Sequence, residues 1–189
     1  MAVNLGTKRC LQQQTFPRAG KSIFSAQIVE LQIWFDENFR AYDEQRQASF
    51  VEYTIAFVLN RTLSELGAAA LDGEALAGAM QAYYAYSESL WQMTPGAHQA
   101  LERLRALGLR AGLLSNAGDA ANIERLIDTF ELRPYLDPIV ISANTGIRKP
   151  NPRAFERVLE HWGVGPEAVV MVGDDATVRV ALGVVGGLV

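Results

Sequence analysis

Polar side chains lie in the loops that follow three short apolar runs in the second half of the chain, at residues 111–114, 139–141 and 169–172. These side chains are Ser115 and Asn116 after the first run, Lys149 after the second, and Asp174 and Asp175 after the third. Hydroxyl, amide and ammonium groups donate hydrogen bonds to phosphate oxygens. Paired carboxylates suit Mg²⁺, a hard cation that takes oxygen ligands. Together, the five side chains predict a site for a phosphate group and a metal ion.

Each of these features also has a simpler explanation when it is taken alone. Ser115 or Asn116 could cap the helix that follows, which is a common role for both residue types. Lys149 could be a solvated loop residue, and Asp174 with Asp175 could form a turn or a helix cap. The occurrence of all three features at the ends of apolar runs favours a functional site over these alternatives.

The apolar runs are predicted to be β-strands that position these side chains. The last two runs are short and β-branched, as is typical of parallel strands buried on both faces. Between them lies a predicted helix that Asn151 caps, Pro152 opens and Gly163 ends. Its apolar stripe consists of Phe155, Val158, Leu159 and Trp162. Ligands of open parallel sheets bind outside the carboxyl ends of the strands, so the polar side chains should converge there.

The other elements predict the architecture around this unit. Residues 26–90 carry three amphipathic stripes with spacings of three and four, which predict three successive helices. Thr94 and Pro95 open a further helix that Gly108 closes. The helix after the first strand has its stripe at Ile123, Leu126, Ile127 and Phe130. Strands that alternate with helices from residue 91 onward indicate an α/β fold with a parallel sheet.

The composition of the chain indicates which partners and which cellular compartment to expect. The chain has 189 residues, a net charge of −4 and an apolar content of 49%, so we expect neither a nucleic-acid surface nor a membrane span. The single cysteine, Cys10, excludes an internal disulfide and favours a reducing, cytoplasmic compartment. Residues 1–25 contain basic but no acidic residues, and Pro17 and Gly20 interrupt any amphipathic helix. We therefore expect an atypical N-terminal segment and not a targeting peptide.

The motifs together resemble the haloacid dehalogenase (HAD)-like superfamily of hydrolases. The matching pieces are LLSNAGD at 113–119, SANTGIRKPNPRAF at 142–155 and VVMVGDD at 169–175, in the order that the family has them. The resemblance implies a Rossmann-like parallel-sheet core with a small α-helical cap, as in the phosphoglycolate-phosphatase-like and 2-haloacid-dehalogenase-like branches. We accordingly expect an N-terminal segment over 1–25, a cap over 26–90 and the core over 91–189.

The resemblance also implies a chemistry for the matched residues. In the family an aspartate attacks phosphorus, and water hydrolyses the resulting aspartyl-phosphate. Ser115 matches the phosphate ligand, with Asn116 beside it, and Lys149 matches the lysine that neutralises nucleophile and phosphate. Asp174 matches the Mg²⁺ ligand, with Asp175 in support, which favours a metal-dependent phosphatase over the metal-independent dehalogenases. The expected substrate is a small phosphorylated metabolite, and the expected oligomeric state is a monomer or homodimer.

Both ends of the chain depart from the family pattern. The nucleophile motif Asp-x-Asp-Gly-Thr is absent, and its nearest remnant, residues 3–7, has Asn4 near the nucleophile position. Arg179 replaces a further aspartate, and the tail stops before the last strand expected of the core. The opening and C-terminal strands are therefore expected to be missing or altered. Three explanations stay open: a weakened phosphatase, a pseudoenzyme that binds Mg²⁺, phosphate or a partner without turnover, and a truncated or frame-shifted product.

Overall fold

The structure is a computed structural model that describes residues 23–173, with side chains from residue 27 onward. Its helices and strands, in chain order, are α1 (Ile23–Ser49), α2 (Ile55–Glu65), α3 (Gly73–Leu90), α4 (Ala97–Ala106), β1 (Leu113–Ser115), α5 (Ala120–Thr129), β2 (Ile139–Ile141), α6 (Ser142–Thr145) and α7 (Pro152–Trp162). Short 3-10 turns lie at Arg133–Tyr135 and Pro166–Ala168. Within this part of the chain, no helix is both long and apolar enough to span a membrane.

The first three helices form the helical part that the sequence predicts. Helix α2 begins after Thr54, whose hydroxyl accepts a hydrogen bond from the backbone N–H of Phe57 at 3.1 Å. Gly67 follows the end of α2 with a φ of +74°, a left-handed conformation that glycine adopts without strain. Ile55 and Val58 are buried on one side of α2, which packs against α1. The prediction of three successive helices is confirmed, although Ile28 of the first predicted apolar stripe and Tyr83 of the third are exposed.

The sheet consists, in the described residues, of two parallel strands with helices on both faces. Leu113 pairs with Ile139, and Ser115 pairs with Ile141. One face belongs to a core cluster that includes Leu113 and residues of α4 and α5, and the other face, with Leu114, packs against α7. The prediction of parallel strands alternating with helices is confirmed, although β1 begins two residues later than expected.

Helix α7 matches its sequence signals at both ends. The Asn151 side chain accepts a hydrogen bond from the backbone N–H of Arg153 at 3.1 Å, Pro152 is the first helical residue, and Gly163 ends the helix with a φ of +63°. All four residues of the predicted stripe are buried, and Phe155, Val158 and Trp162 belong to the cluster that includes Leu114 and Val140 of the sheet. Local capping signals therefore determine where this helix begins and ends, and its apolar stripe determines which face is buried.

The third apolar run, residues 169–172, corrects the sequence prediction. Val169 and Met171 pack against the cluster around α7, whereas Val170 is 69% exposed and Val172 is also exposed. Only Met171 of this run takes part in a β-bridge, so residues 169–172 do not form a strand buried on both faces. The reason is that a run of apolar residues cannot specify whether a second layer will cover its other side.

The linker between α1 and α2, residues 50–54, fastens the helical part to the carboxyl edge of the sheet. The backbone N–H of Glu52 donates to the carbonyl of Gly146 at 2.9 Å, and that of Arg148 donates to the carbonyl of Phe50 at 2.8 Å. These antiparallel contacts place the linker beside the loop that follows β2. The end of α1 therefore lies close to the loop that carries Lys149.

A second tie joins the helical part to the core on the side of α5. The Glu88 carboxylate of α3 accepts hydrogen bonds from Asn122 at 2.7 Å and from Arg125 at 2.6 Å, both on α5. The Arg125 hydrogen bond, followed by that from Asn122, holds the pKa of Glu88 below its ordinary value even though burial opposes this shift. The carboxylate is thus ionised near neutral pH and pairs with the guanidinium.

Candidate active site at the carboxyl edge of the sheet

Ser115 and Lys149 occupy the carboxyl edge of the two strands. Ser115 is the last residue of β1 and is 4% exposed, and Lys149 lies in the loop between α6 and α7 and is 5% exposed. A lysine this buried is uncommon, because its ammonium group gives up hydration. The alternative that Lys149 is merely a solvated loop residue is therefore wrong.

Asn116 connects the loops that follow the two strands. Its side-chain carbonyl accepts a hydrogen bond from the backbone N–H of Lys149 at 2.8 Å, and its side-chain NH₂ donates to the Lys149 carbonyl at 2.9 Å. The capping alternative for Ser115 and Asn116 is wrong, because Asp119 caps α5 by accepting from the backbone N–H of Asn122 at 2.6 Å. Asn116 thus fixes the main chain of Lys149, and its predicted contact with phosphate stays a prediction.

Ser142 is a polar residue at this edge to which the sequence analysis assigned no role. It directly follows β2, as Asn116 follows β1, and it is buried. Its hydroxyl accepts a hydrogen bond from the backbone N–H of Ala117 at 2.8 Å and donates to the carboxylate of Glu52. Its position after an apolar run is the signal that could have identified it.

Glu52 was also missed, and its carboxylate contacts Ser142 and Arg148, which lie between β2 and α7. Its side chain is 0% exposed and pairs with two guanidinium groups, Arg46 at 3.6 Å and Arg148 in a short hydrogen-bonded contact. The contact with Arg46 is an ion pair without hydrogen-bond geometry, so Glu52 Oε1 makes no hydrogen bond. No pattern in the sequence marks Glu52, because its hydrogen-bond partners Ser142 and Arg148 lie 90 and 96 residues away along the chain.

The electrostatic balance of this edge favours anions. Arg46, Arg148 and Lys149 contribute three positive charges, and Glu52 and Asp43, which pairs with Arg46 at 3.3 Å, contribute two negative charges, which gives +1 for these five residues. Burial raises the pKa of Tyr84 on α3, and the negative charges of Asp119 and Glu52 contribute, so its phenol stays protonated. A buried cluster with excess positive charge suits a phosphate or another oxyanion.

The predicted metal ligands Asp174 and Asp175 lie outside the described residues, as do residues 3–7 and Arg179. Between residues 27 and 173, no group of three or more His, Cys, Asp or Glu side chains is placed to hold a metal ion. The two arginines already neutralise Glu52, which makes its carboxylate a poor Mg²⁺ ligand. The described part of the site therefore does not by itself supply a magnesium-binding set.

Comparison with known proteins identifies the class to which this fold and site belong. Residues 10–183 match the family model for haloacid dehalogenase-like hydrolases, and the chain belongs to that family. Its fold is the family's Rossmann-like α/β core with a small helical cap. The predicted boundaries of these parts, at residues 25 and 90, stay predictions.

Curated relatives match the chain over about half of its length. Glyceraldehyde 3-phosphate phosphatase of Pyrococcus abyssi is 30% identical over 93 residues, which cover 49% of this chain and 39% of that protein. Phosphoserine phosphatase of Thermus thermophilus is 35% identical over 85 residues, covering 45% and 34% respectively. The chain thus spans between a third and two fifths of the length of these relatives.

Solved structures support the fold alone, because their sequence identities are low. L-2-haloacid dehalogenase of Xanthobacter autotrophicus superposes with a TM-score of 0.54 at 24% identity, covering 82% of this chain and 61% of that one. A predicted phosphoglycolate phosphatase of Haemophilus somnus superposes with a TM-score of 0.53 at 14% identity, covering 85% and 76%.

Proposed function

We propose that the chain is a phosphatase-type HAD-like protein whose carboxyl-edge site binds the phosphate of a small phosphorylated metabolite. The observation that carries this proposal is the burial of Ser115 and Lys149 at the edge, with Asn116 holding the Lys149 main chain. The names of the relatives, which are phosphatases of phosphorylated metabolites, support the same substrate class. The monomer or homodimer state and the cytoplasmic location stay predictions from the sequence.

Each proposed ligand has a specific role toward the phosphate. The Lys149 ammonium offsets the charge of the phosphate, and it does so strongly because burial excludes water from the pair. The Ser115 hydroxyl donates a hydrogen bond to a phosphate oxygen. Asn116 acts through Lys149, since its amide fixes the backbone from which the ammonium group extends.

Mg²⁺ belongs to this proposal through residues that the structure does not describe. Asp174 and Asp175 are the residues proposed to hold it, on the strength of the motif that contains them. A bound Mg²⁺ would screen the negative charge of the phosphoryl group. The described residues bind and orient the phosphate independently of that ion.

A second candidate function is phosphate binding without turnover. Two observations favour it. The first aspartate in the sequence is Asp36, which lies within helix α1 and not at the end of a strand, where the family's nucleophile is expected. The buried carboxylate at the edge, Glu52, is held between two arginines and is not poised to attack phosphorus. Under this alternative, the site captures the ligand, and no covalent intermediate forms.

Calorimetric titration with inorganic phosphate, in the presence and absence of Mg²⁺, tests the binding site. Replacing Lys149 with alanine should weaken phosphate binding at least tenfold, since a charge-assisted hydrogen bond contributes about 1.5–3 kcal/mol. Arg153→Ala is the matched control, because Arg153 is an exposed cation on the nearby helix α7. The control should bind phosphate with unchanged affinity.

Hydrolysis of an aryl phosphate, measured beside the variant Asp174→Asn, separates the two candidates. Turnover that requires Mg²⁺ and disappears in Asp174→Asn supports the phosphatase. Phosphate binding without turnover, in a folded sample, supports the non-catalytic alternative. Absence of phosphate binding, or an equal affinity in Lys149→Ala, overturns the proposed site itself.

A further inference from the structure

The buried carboxylate of Glu52 joins the end of α1 to two residues that are distant in sequence, Ser142 and Arg148. Glu52 lies in the linker between α1 and α2, and its carboxylate accepts hydrogen bonds from the Ser142 hydroxyl and the Arg148 guanidinium. Arg46, near the end of α1, forms the third contact at 3.6 Å. The sequence separations of these hydrogen bonds, 90 residues to Ser142 and 96 to Arg148, show that only the folded state assembles the group.

Charge makes this carboxylate hard to replace. Arg46 has a side chain that is 4% exposed, and that of Arg148 is 19% exposed, so both guanidinium groups are mostly removed from water. Without the Glu52 charge, Arg148 would lose the carboxylate that it contacts, and Arg46 would keep only the half-exposed Asp43 at 3.3 Å. Removing one partner from a buried ion pair is strongly unfavourable, because the remaining charge stays desolvated.

Glu52 is connected to Lys149 by two routes. On one route, Arg148 directly precedes Lys149, and both its guanidinium and its backbone N–H are bound to the linker. On the other, the Ser142 hydroxyl accepts from the backbone N–H of Ala117, the residue after Asn116, which holds the Lys149 main chain. Both loops that position Lys149 are therefore fastened to Glu52.

We propose that Glu52 is a positioning residue that holds Lys149 at the phosphate site and makes its placement depend on the linker of the helical cap. Glu52 does not touch the phosphate, and its effect passes through Arg148 and Ser142. At the end of the linker, the backbone N–H of Ile55, the first residue of α2, donates to the Gly118 carbonyl in the loop after β1 at 2.9 Å. A displacement of the cap linker would thus move the loop that carries Lys149. The inference rests on the proposed phosphate site.

The reactivity of Lys149 toward an acetylating reagent tests the inference without any need for catalysis. Lys149 is one of three lysines in the chain, so peptide mass spectrometry resolves its acetylation rate in the native protein and in urea. The test variant is Glu52→Gln, which keeps the shape of the side chain and removes its charge. The control is Glu88→Gln, which removes the other cap-to-core carboxylate without touching the Lys149 loops.

We expect native-state acetylation of Lys149 to rise at least tenfold in Glu52→Gln and less than twofold in Glu88→Gln. A purely structural role would expose Lys149 only through global unfolding. The rate in Glu52→Gln must therefore exceed the product of the unfolded-state rate and the unfolding equilibrium constant measured on the same variant. If Glu52→Gln fails to fold, Ser142→Ala provides the milder break in the same network.

The outcomes separate this inference from the proposed function. A Lys149 rate in Glu52→Gln that matches global unfolding overturns the positioning role, whatever the phosphate affinity. If phosphate binds to the wild type, its dissociation constant should rise at least tenfold in Glu52→Gln and stay within twofold in Glu88→Gln. If phosphate does not bind to the wild type, the proposed function fails, while the Lys149 rates still decide the positioning role.

Discussion

Replacing Asn116 with alanine removes both hydrogen bonds that hold the Lys149 main chain. The bonds are 2.8 and 2.9 Å long, and they satisfy the N–H and C=O of a residue that is 5% exposed. Each buried backbone group left without a partner costs about 1–3 kcal/mol. Because water can enter the space vacated by the amide and satisfy part of this loss, we expect a decrease of about 2–4 kcal/mol in the free energy of unfolding.

Urea denaturation measures this loss directly. With a slope of about 2 kcal/mol per molar urea, the midpoint for Asn116→Ala should fall by about 1–2 M at an unchanged slope. Asn144→Ala, at an exposed asparagine of α6, is the control and should change stability by less than about 0.5 kcal/mol. A loss in Asn116→Ala no larger than that of the control would refute the idea that this amide fixes the Lys149 loop.

Three further predictions concern packing and charge elsewhere in the chain. Gly112→Ala should destabilise the fold by about 1–3 kcal/mol in a thermal melt, because the new Cβ would lie 3.0 Å from the Trp162 ring. Trp162→Phe should cost about 1–2 kcal/mol in urea denaturation, since it loses the 2.8 Å hydrogen bond from the indole N–H to the Asp137 carbonyl. Since the Arg125 hydrogen bond lowers the pKa of Glu88 from 4.5, the stabilisation is complete above pH 4.5 and declines as the pH falls below that value. Glu88→Gln should therefore flatten the acid limb of a stability–pH curve, and an unchanged limb would contradict the pairing.

The elements predicted best from sequence are those whose signals are local. Helix α7 has a cap at Asn151, a glycine at its end and a stripe with helical spacing, and the structure agrees on every point. The run at residues 169–172 had no comparable end signals, and its burial was misjudged because its covering layer depends on distant residues.

The convergence of the predicted site residues followed from the sequence, whereas their role in a phosphate site stays a prediction. The rule that ligands bind at the carboxyl ends of parallel strands correctly brought Ser115, Asn116 and Lys149 to one edge. It did not reveal that the Asn116 amide serves the Lys149 backbone, because that contact joins two loops 33 residues apart. The metal ligands proposed at Asp174 and Asp175 lie outside the described residues.

The sequence by itself determined the alternation of helices and strands, the polar residues at the strand ends and the family motifs. These are local features, set by periodicity, capping and short spacings. Only the tertiary structure decided that Lys149 is buried and that Glu52 lies between Arg46, Arg148 and Ser142. A glutamate between two helices looks like an ordinary surface residue in sequence, since its contacts with Ser142 and Arg148 form only when segments 90 and 96 residues away fold against it.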